Sequence, residues 1–341
     1  MNITWALVLL ALAYLFTFFT GFNGGNVLAT LLASHAMKQR SALLLAALVQ
    51  LVSPLMLGMA VAKTMGSDII HPNYFLEAPP HQAWSFLCAG FVACIIFIFV
   101  SWKTGIPISA SHSLIGGLLG AGVAAFGFAA GNWEKIAVKV ILAMILSPLA
   151  SFVIGFIFMK IVRFFAARAT QKADSVITWM QRGNMVLLAA FQASNEAQKS
   201  VGVIFLVIMI AAPSLQSIPG LTVYAALSSA LVLSAGLMLG GLRIARTVGF
   251  GIYRIRPVHS LASQLASSLV LVTSTLMGSP VSPSQIVSSS IVGVGTAFRP
   301  SAVRWDVALR IVSTWFTTLP ISALGGAGLY YLLSWVVSFL M

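Results

Sequence analysis

The stretch at residues 191–202 reads FQASNEAQKSVG and sets Asn195, Glu196, Gln198 and Lys199 inside an apolar run from about residue 185 to 212. A charge at membrane depth costs about 2.5–3.5 kcal/mol on the insertion scale, so such groups usually face a cavity or each other. Asp and Glu together number only 6 in the chain. Glu196 is the one set deep in a long apolar run. A second polar stretch, GFNGGNVLAT at residues 21–30, holds the corresponding place in the other half. The two together predict a solute carrier built around interrupted helices.

Composition agrees. The chain is 59% hydrophobic and 7% charged, with a mean hydropathy of +1.00. Soluble domains carry roughly 25% charged residues, so the chain is an all-α polytopic membrane protein with no room for a sizeable soluble domain. The net charge of +13 would suggest nucleic acid in a soluble chain. Here the basic residues sit in short loops between apolar runs, which excludes nucleic acid as a partner and points to the positive-inside pattern. Cys88 and Cys94 lie six apart in one run, a spacing that favours neither a disulfide between them nor a metal site. The first 20 residues lack a basic start and a small-residue cleavage site, so they are expected to be the first span, not a signal peptide.

Ten apolar runs follow one another, at residues 3–34, 41–62, 83–101, 107–128, 136–163, 184–212, 221–242, 258–277, 284–298 and 306–338. The two halves match at nearly constant offset. Asn23 pairs with Asn195 (195 − 23 = 172), Ser109 with Ser282 (282 − 109 = 173), and Gly120 and Gly122 with Gly293 and Gly295. Trp133, Glu134 and Pro148 pair with Trp305, Asp306 and Pro320, and the LMLG at 55–58 recurs at 237–240. Each half is therefore one five-span unit: a first repeat at 1–165, a basic connector at 166–183, and a second repeat at 184–341.

Charge in the loops sets the expected orientation. Lys38 and Arg40 follow the first span while the matching loop at 213–220 is uncharged. Lys63, Asp68 and Glu77 face a partner loop with Arg243, Arg246, Arg254 and Arg256; the near-neutral loop around Asn132 has a partner with Arg299 and Arg304. The connector, with Lys160, Arg163, Arg168, Lys172 and Arg182, is the most basic segment. All basic loops fall on one side if both termini are outside and each half spans five times. An odd number of spans makes the repeats inverted, with broken helices near the midplane of the cell membrane.

Two motifs per half interrupt the periodicity. In GFNGGN (21–26), Gly24 and Gly25 would let the backbone unwind and approach a ligand, and Asn23 and Asn26 offer donors and acceptors. SNEAQK (194–199) is its mate. PISASHS (107–113) and PVSPSQ (280–285) each begin with proline and run through hydroxyls into an apolar helix. That is the layout of a helix N-terminus whose amides and hydroxyls can donate to an oxyanion. Ordinary capping by Ser109 and Ser282 is the simpler alternative. In an inverted pair the two helix starts would face each other and donate to one tetrahedral anion from both sides.

At these residues the chain resembles the PiT family of inorganic phosphate transporters in its compact bacterial form, over nearly its whole length. SNEAQKSVGVI is similar to the family's G-T-N-D-A-Q-K-T-M-G-I-I, and GIPISASHSLIGG to G-I-P-x-S-x-S-H-x-L-I-G-G. PVSPSQIVSSSIVGVG resembles P-V-S-T-T-H-x-x-x-x-A-I-M-G-V-G, and YRIRPVH (253–259) and SAVRWDVALRIV (301–312) fit later segments. The resemblance implies phosphate uptake by symport with Na⁺ or H⁺ through alternating access, without a cofactor. It nominates Asn23, Asn26, Asn195, Glu196, Gln198, Lys199, Ser109, Ser111, Ser282 and Ser284. The expected substrate site is Asn23, Gly24, Gly25, Ser109, Ser111, His112, Ser194, Asn195, Gln198, Lys199, Ser282, Ser284 and Gln285, and Asn26, Asn195 and Glu196 are the expected place of a coupling cation, a transient Na⁺ among the possibilities.

Departures from the family pattern matter. GFNGGN is one residue shorter than the family's G-F-H-D-T-A-N and has no Asp; Glu196 replaces an Asp; Ala110 and Pro283 replace threonines; Gln264 replaces a Glu. Coupling that needs a carboxylate then rests on Glu196. A carrier for another oxyanion such as sulfate, or an uncoupled anion uniporter or channel, remains open, as does a homodimer. An enzyme is not expected, because the sequence has no metal-ligand cluster, Walker loop or nucleophile–His–acid set.

Overall fold

The computed structural model describes residues 3–55, 61–62, 68–166 and 172–340. Residues 56–58 of the repeated LMLG, Lys63 and Arg168 lie outside the described residues. Those described are helical throughout, apart from turns and one isolated antiparallel bridge between Ile70 and Gly131.

The first half of the chain contains α1 (Ile3–Gly21), α2 (Gly25–Ala33), α3 (Gln39–Val52), a short α4 (Pro72–Leu76), α5 (Pro80–Thr104), α6 (Ala110–Phe126) and α7 (Leu142–Ala166). The second contains α8 (Lys172–Ala211), α9 (Leu221–Gly251), α10 (Pro257–Leu276), α11 (Pro283–Phe298) and α12 (Trp305–Leu340). Described helix lies in each of the ten apolar runs. Among the described residues six helices are long and apolar enough to cross a membrane, with α1 and α2 counted as one. Of the remainder, α10 is long enough at 20 residues but carries Ser260, Ser263, Gln264, Ser267 and Ser268. α3 is described over 14 residues. Two more, α6 and α11, have 17 and 16 residues. At 1.5 Å per residue each falls short of a hydrocarbon core of about 30 Å. The proline–serine motifs cut them short, and non-helical backbone precedes each of them. From Pro107 to Ser109 and from Pro280 to Ser282 that backbone is buried in protein, as irregular backbone in a membrane protein must be.

The expected broken helices need correction. At residues 22–24 the break is only a 3₁₀ turn, Phe22–Gly24. At SNEAQK there is none: α8 runs unbroken for 40 residues. Ala, Glu, Gln and Lys are good helix formers, no Gly or Pro lies within the motif, and the Glu196–Lys199 pair at i,i+3 supports the turn.

Burial ranks the helices. In the most apolar window of the α8 span 83% of residues are buried, against 28% in the spans of α7 and α12. The central helix is thus the one with the polar motif, and the outer helices expose Leu149, Val153, Ile157, Phe316, Ile321 and Leu324, the composition suited to lipid. Packing exchanges partners between the halves. The last span of each half packs on the third and fourth of the other, α12 on α5 and α6, and α7 on α10 and α11. The first span of each half packs on the second of the other: α1 and α2 on α9, and α8 on α3. Outside the bundle, Asp68 is clasped by Lys135 (2.6 Å) and Lys139 (2.7 Å). Burial opposes its ionisation, but the two ammonium groups prevail and hold the carboxyl below the usual carboxylate range.

Candidate functional site

The starts of α6 and α11 meet. Ser284 donates its hydroxyl to the Ile108 carbonyl at 3.0 Å, and Ser111 donates to the Val281 carbonyl at 3.4 Å. These are one contact made twice, since 284 and 281 are the 173-offset mates of 111 and 108. A third contact joins another mated pair, His112 Nδ1 and Gln285 Nε2, at 3.5 Å. Ser282 and Ser284 share a hydroxyl–hydroxyl bond of 2.9 Å. The two N-caps differ. Ser109 accepts from the His112 amide at 3.2 Å, whereas Ser282 makes no side-chain cap. Simple capping therefore accounts for Ser109 and leaves Ser282 for other work.

The central helix supplies the cation. Lys199 is fully buried and Glu196 is 2% exposed. The ammonium donates to Glu196 Oε1 at 2.8 Å and to the Val281 carbonyl at 2.9 Å. That carbonyl is the one Ser111 reaches, so ammonium and hydroxyl converge on one atom from two helices. Hydroxyls, free helix-start amides and one ammonium gathered without an exposed carboxylate form a donor set suited to an oxyanion. An anion would draw these donors from the carbonyls they now serve.

Next to it, Asn195 donates to Thr275 Oγ1 at 3.3 Å and to the Ser279 carbonyl at 3.2 Å. Gln198 donates to Ser194 at 3.1 Å, and its Oε1 accepts from the Val61 amide at 2.8 Å. Asn26 donates to the Asn23 carbonyl at 2.7 Å. Among the buried oxygens without a hydrogen-bond partner are Asn26 Oδ1, Asn195 Oδ1 and Glu196 Oε2. They belong to the three residues expected to hold a cation, and oxygen donors are what a hard cation takes. Among the described residues no cluster of three or more His, Cys, Asp or Glu exists that could hold a metal ion.

Sequence comparison bears on this arrangement. A family model described as "Phosphate transporter family" matches residues 20–326. The chain belongs to that family. It is 36% identical over 336 residues, 98% of both chains, to a probable low-affinity inorganic phosphate transporter of Bacillus subtilis. A protein of Rhizobium meliloti with the same description is 32% identical, with 95% of each chain covered. Among solved structures, one described as the sodium-dependent phosphate transporter shares the fold at a TM-score of 0.81, with 20% identity and 99% of this chain covered. The family resemblance and the all-helical membrane fold are thereby borne out, and the family is one of transporters, not enzymes.

In this transporter the first motif acts differently from expectation. Gly24 and Gly25 have helical angles (φ −54° and −59°), so no unwound backbone reaches a ligand there. A Cβ on Gly25 would strike the Gly241 carbonyl, and one on Gly24 would lie 2.6 Å from Gln50 Nε2. These glycines let α2 approach α9. Glu196 and Lys199 face each other, so one carboxylate oxygen is already paired.

Two buried residues escaped sequence analysis. Gln192 donates to the Asn23 carbonyl at 2.9 Å and leaves Oε1 unpartnered. Gln50, 1% exposed, also has an unpartnered Oε1. Each was visible as a lone amide in an apolar run. Gln192 stands one turn before Asn195, just as Thr20, also unpartnered, stands one turn before Asn23.

Proposed function

We propose that the protein carries inorganic phosphate across the cell membrane by cation symport with alternating access, binding the anion where α6 and α11 meet. The reciprocal Ser111 and Ser284 contacts, with Lys199 turned onto the same Val281 carbonyl, carry this conclusion. Donors from both halves converge there, so a tilt of one half against the other would open the site to either side in turn. The substrate is phosphate because relatives covering nearly the whole chain are described as inorganic phosphate transporters. Gln285 Oε1, buried and unpartnered, adds an acceptor for the O–H that phosphate has and sulfate lacks. The two five-span units are inverted repeats, with both termini outside and the basic connector at 166–183 cytoplasmic. The exchanged helix packing and the loop charges support this.

The coupling ion is Na⁺ or H⁺, held beside the anion at the unpartnered oxygens of Asn26, Asn195 and Glu196. The solved relative's description as sodium-dependent favours Na⁺. One observation favours a second function, an uncoupled anion uniporter: the site's only carboxylate is already paired with Lys199. Radiolabelled phosphate uptake into proteoliposomes, with Na⁺ and pH gradients set independently, separates the two. Accumulation above equilibrium under one of the gradients, inhibited more by arsenate than by sulfate, is the expected result. Equilibration alone would establish the uniporter, and no phosphate uptake under either gradient would remove phosphate as substrate.

A further inference from the structure

A cavity of about 540 Å³ opens on the face that carries the basic loops. Its wall comes from segments far apart in sequence: the end of α2, the end of α9 with the loop to α10, and the lead-in to α12. Arg254, Arg256 and Arg304 line it, with His35, Tyr253 and Ser34. No Asp or Glu lines it, and among the described residues none of the three arginines joins a salt bridge. Arg304 does donate to the Gly251 carbonyl at 3.4 Å, which occupies one of a guanidinium's five N–H groups.

One further feature distinguishes the cavity from a merely solvated basic face. Pro257, which also lines the cavity, opens the 20-residue α10. The positive end of that helix dipole therefore adds to the three guanidinium charges. Distance separates the cavity from the transport site. Asn26 and the wall formed by Ala33 are seven helical rises apart along α2, about 10 Å.

We infer that this cavity is a second anion site, for a ligand carrying more than one phosphoryl group. Three guanidiniums with no carboxylate among them exceed what one phosphate ion neutralises, and each offers a planar fork that takes a phosphoryl group through two hydrogen bonds. The volume lies in the range of about 300–1,000 Å³ typical of small-molecule sites. Soluble polyphosphates and anionic lipid headgroups both present this chemistry, and basic pockets on the cytoplasmic side of membrane proteins take such headgroups.

The test uses the full chain in two settings. In neutral detergent, calorimetric titration with tripolyphosphate and separately with inorganic phosphate compares wild type with the Arg254→Gln/Arg304→Gln variant. In nanodiscs, the unfolding midpoint is compared between neutral phosphatidylcholine and the same lipid with phosphatidylglycerol. Tripolyphosphate should bind wild type, and the double variant should bind it weaker by about tenfold or more, as lost charged hydrogen bonds dictate. Arg246→Gln, a basic-face change outside the cavity, and Ser111→Ala/Ser284→Ala at the transport site should both leave it unchanged. A stabilisation by phosphatidylglycerol that the double variant alone loses would identify the lipid as the source. If the double variant aggregates, Arg254→Lys/Arg304→Lys keeps the charge, loses the forks and should bind with intermediate affinity. Equal behaviour of wild type and both arginine variants in every arm, a wild type that responds to neither ligand, or binding of inorganic phosphate alone would overturn the inference.

Discussion

Lys199→Met is expected to destabilise the protein by about 3–5 kcal/mol and to abolish phosphate uptake, because it strands the Glu196 carboxylate in the centre of the bundle. Neither partner can reach water: Lys199 is 0% and Glu196 2% exposed, and both sit on the most buried span. Removing one charge of such a pair leaves the other uncompensated, whereas removing both takes away the cost along with the attraction. The double variant Glu196→Gln/Lys199→Met should therefore recover most of the lost stability. It should not recover uptake, since the ammonium that reaches the Val281 carbonyl is still missing. Thermal unfolding in detergent and uptake in proteoliposomes read these separately. Equal destabilisation by the single and double variants would show that the pair is not energetically coupled. Full uptake in the double variant would remove Lys199 from the anion site.

Gly120→Leu and Gly293→Leu are each expected to prevent native assembly. The two glycines are 173-offset mates on α6 and α11, the helices that carry the hydroxyl motifs. A Cβ on Gly120 would strike the Ala323 carbonyl of α12, and one on Gly293 the Phe152 carbonyl of α7. In both cases the obstruction is backbone, which no rotamer change can relieve. Close approach through small residues is how helices associate where lipid supplies no hydrophobic drive. Overpacking a tight core by a few methylenes costs about 1–3 kcal/mol even where side chains can yield, so leucine against a carbonyl should exceed that. Size-exclusion chromatography of the detergent-solubilised variants checks this, with aggregation or loss of the monodisperse peak expected. Gly183→Leu is the control, since a Cβ there meets nothing within 4 Å. Monodisperse, active Gly120→Leu protein would mean that α6 and α12 are not held this closely.

Much of this architecture was legible in the sequence for physical reasons. Membrane helices need long apolar runs, so described helix lies in each of the ten runs. The hydroxyl motifs recur at an offset of 173 residues, so Ser111 and Ser284, with their acceptors at 108 and 281, could be paired before their contact was known. What failed was the inference from polarity to unwinding. SNEAQK is polar at membrane depth, yet each residue after Asn195 favours helix and two of them neutralise each other, so α8 continues. Polarity in such a run signals a partner, not a break. Gly24 and Gly25 misled in the complementary way, because a glycine needed for close helix approach looks the same in sequence as one needed for an unusual φ. The partners of Asn23 and Asn195, among them Gln192 and Thr275, depend on which helices touch. The arginine cavity escaped for the same reason, since its wall comes from three segments that only folding brings together.

Equilibrium binding of radiolabelled phosphate to purified wild type and to the Ser111→Ala/Ser284→Ala variant tests the proposed anion site most directly. Both variants of the contact lose a donor without burying a charge or a clash, so unfolding midpoints should stay close to wild type. Each lost hydrogen bond to a charged ligand is worth about 1.5–3 kcal/mol, so affinity should fall by a factor of ten or more. A stably folded double variant that binds phosphate as tightly as wild type would contradict a site between the starts of α6 and α11.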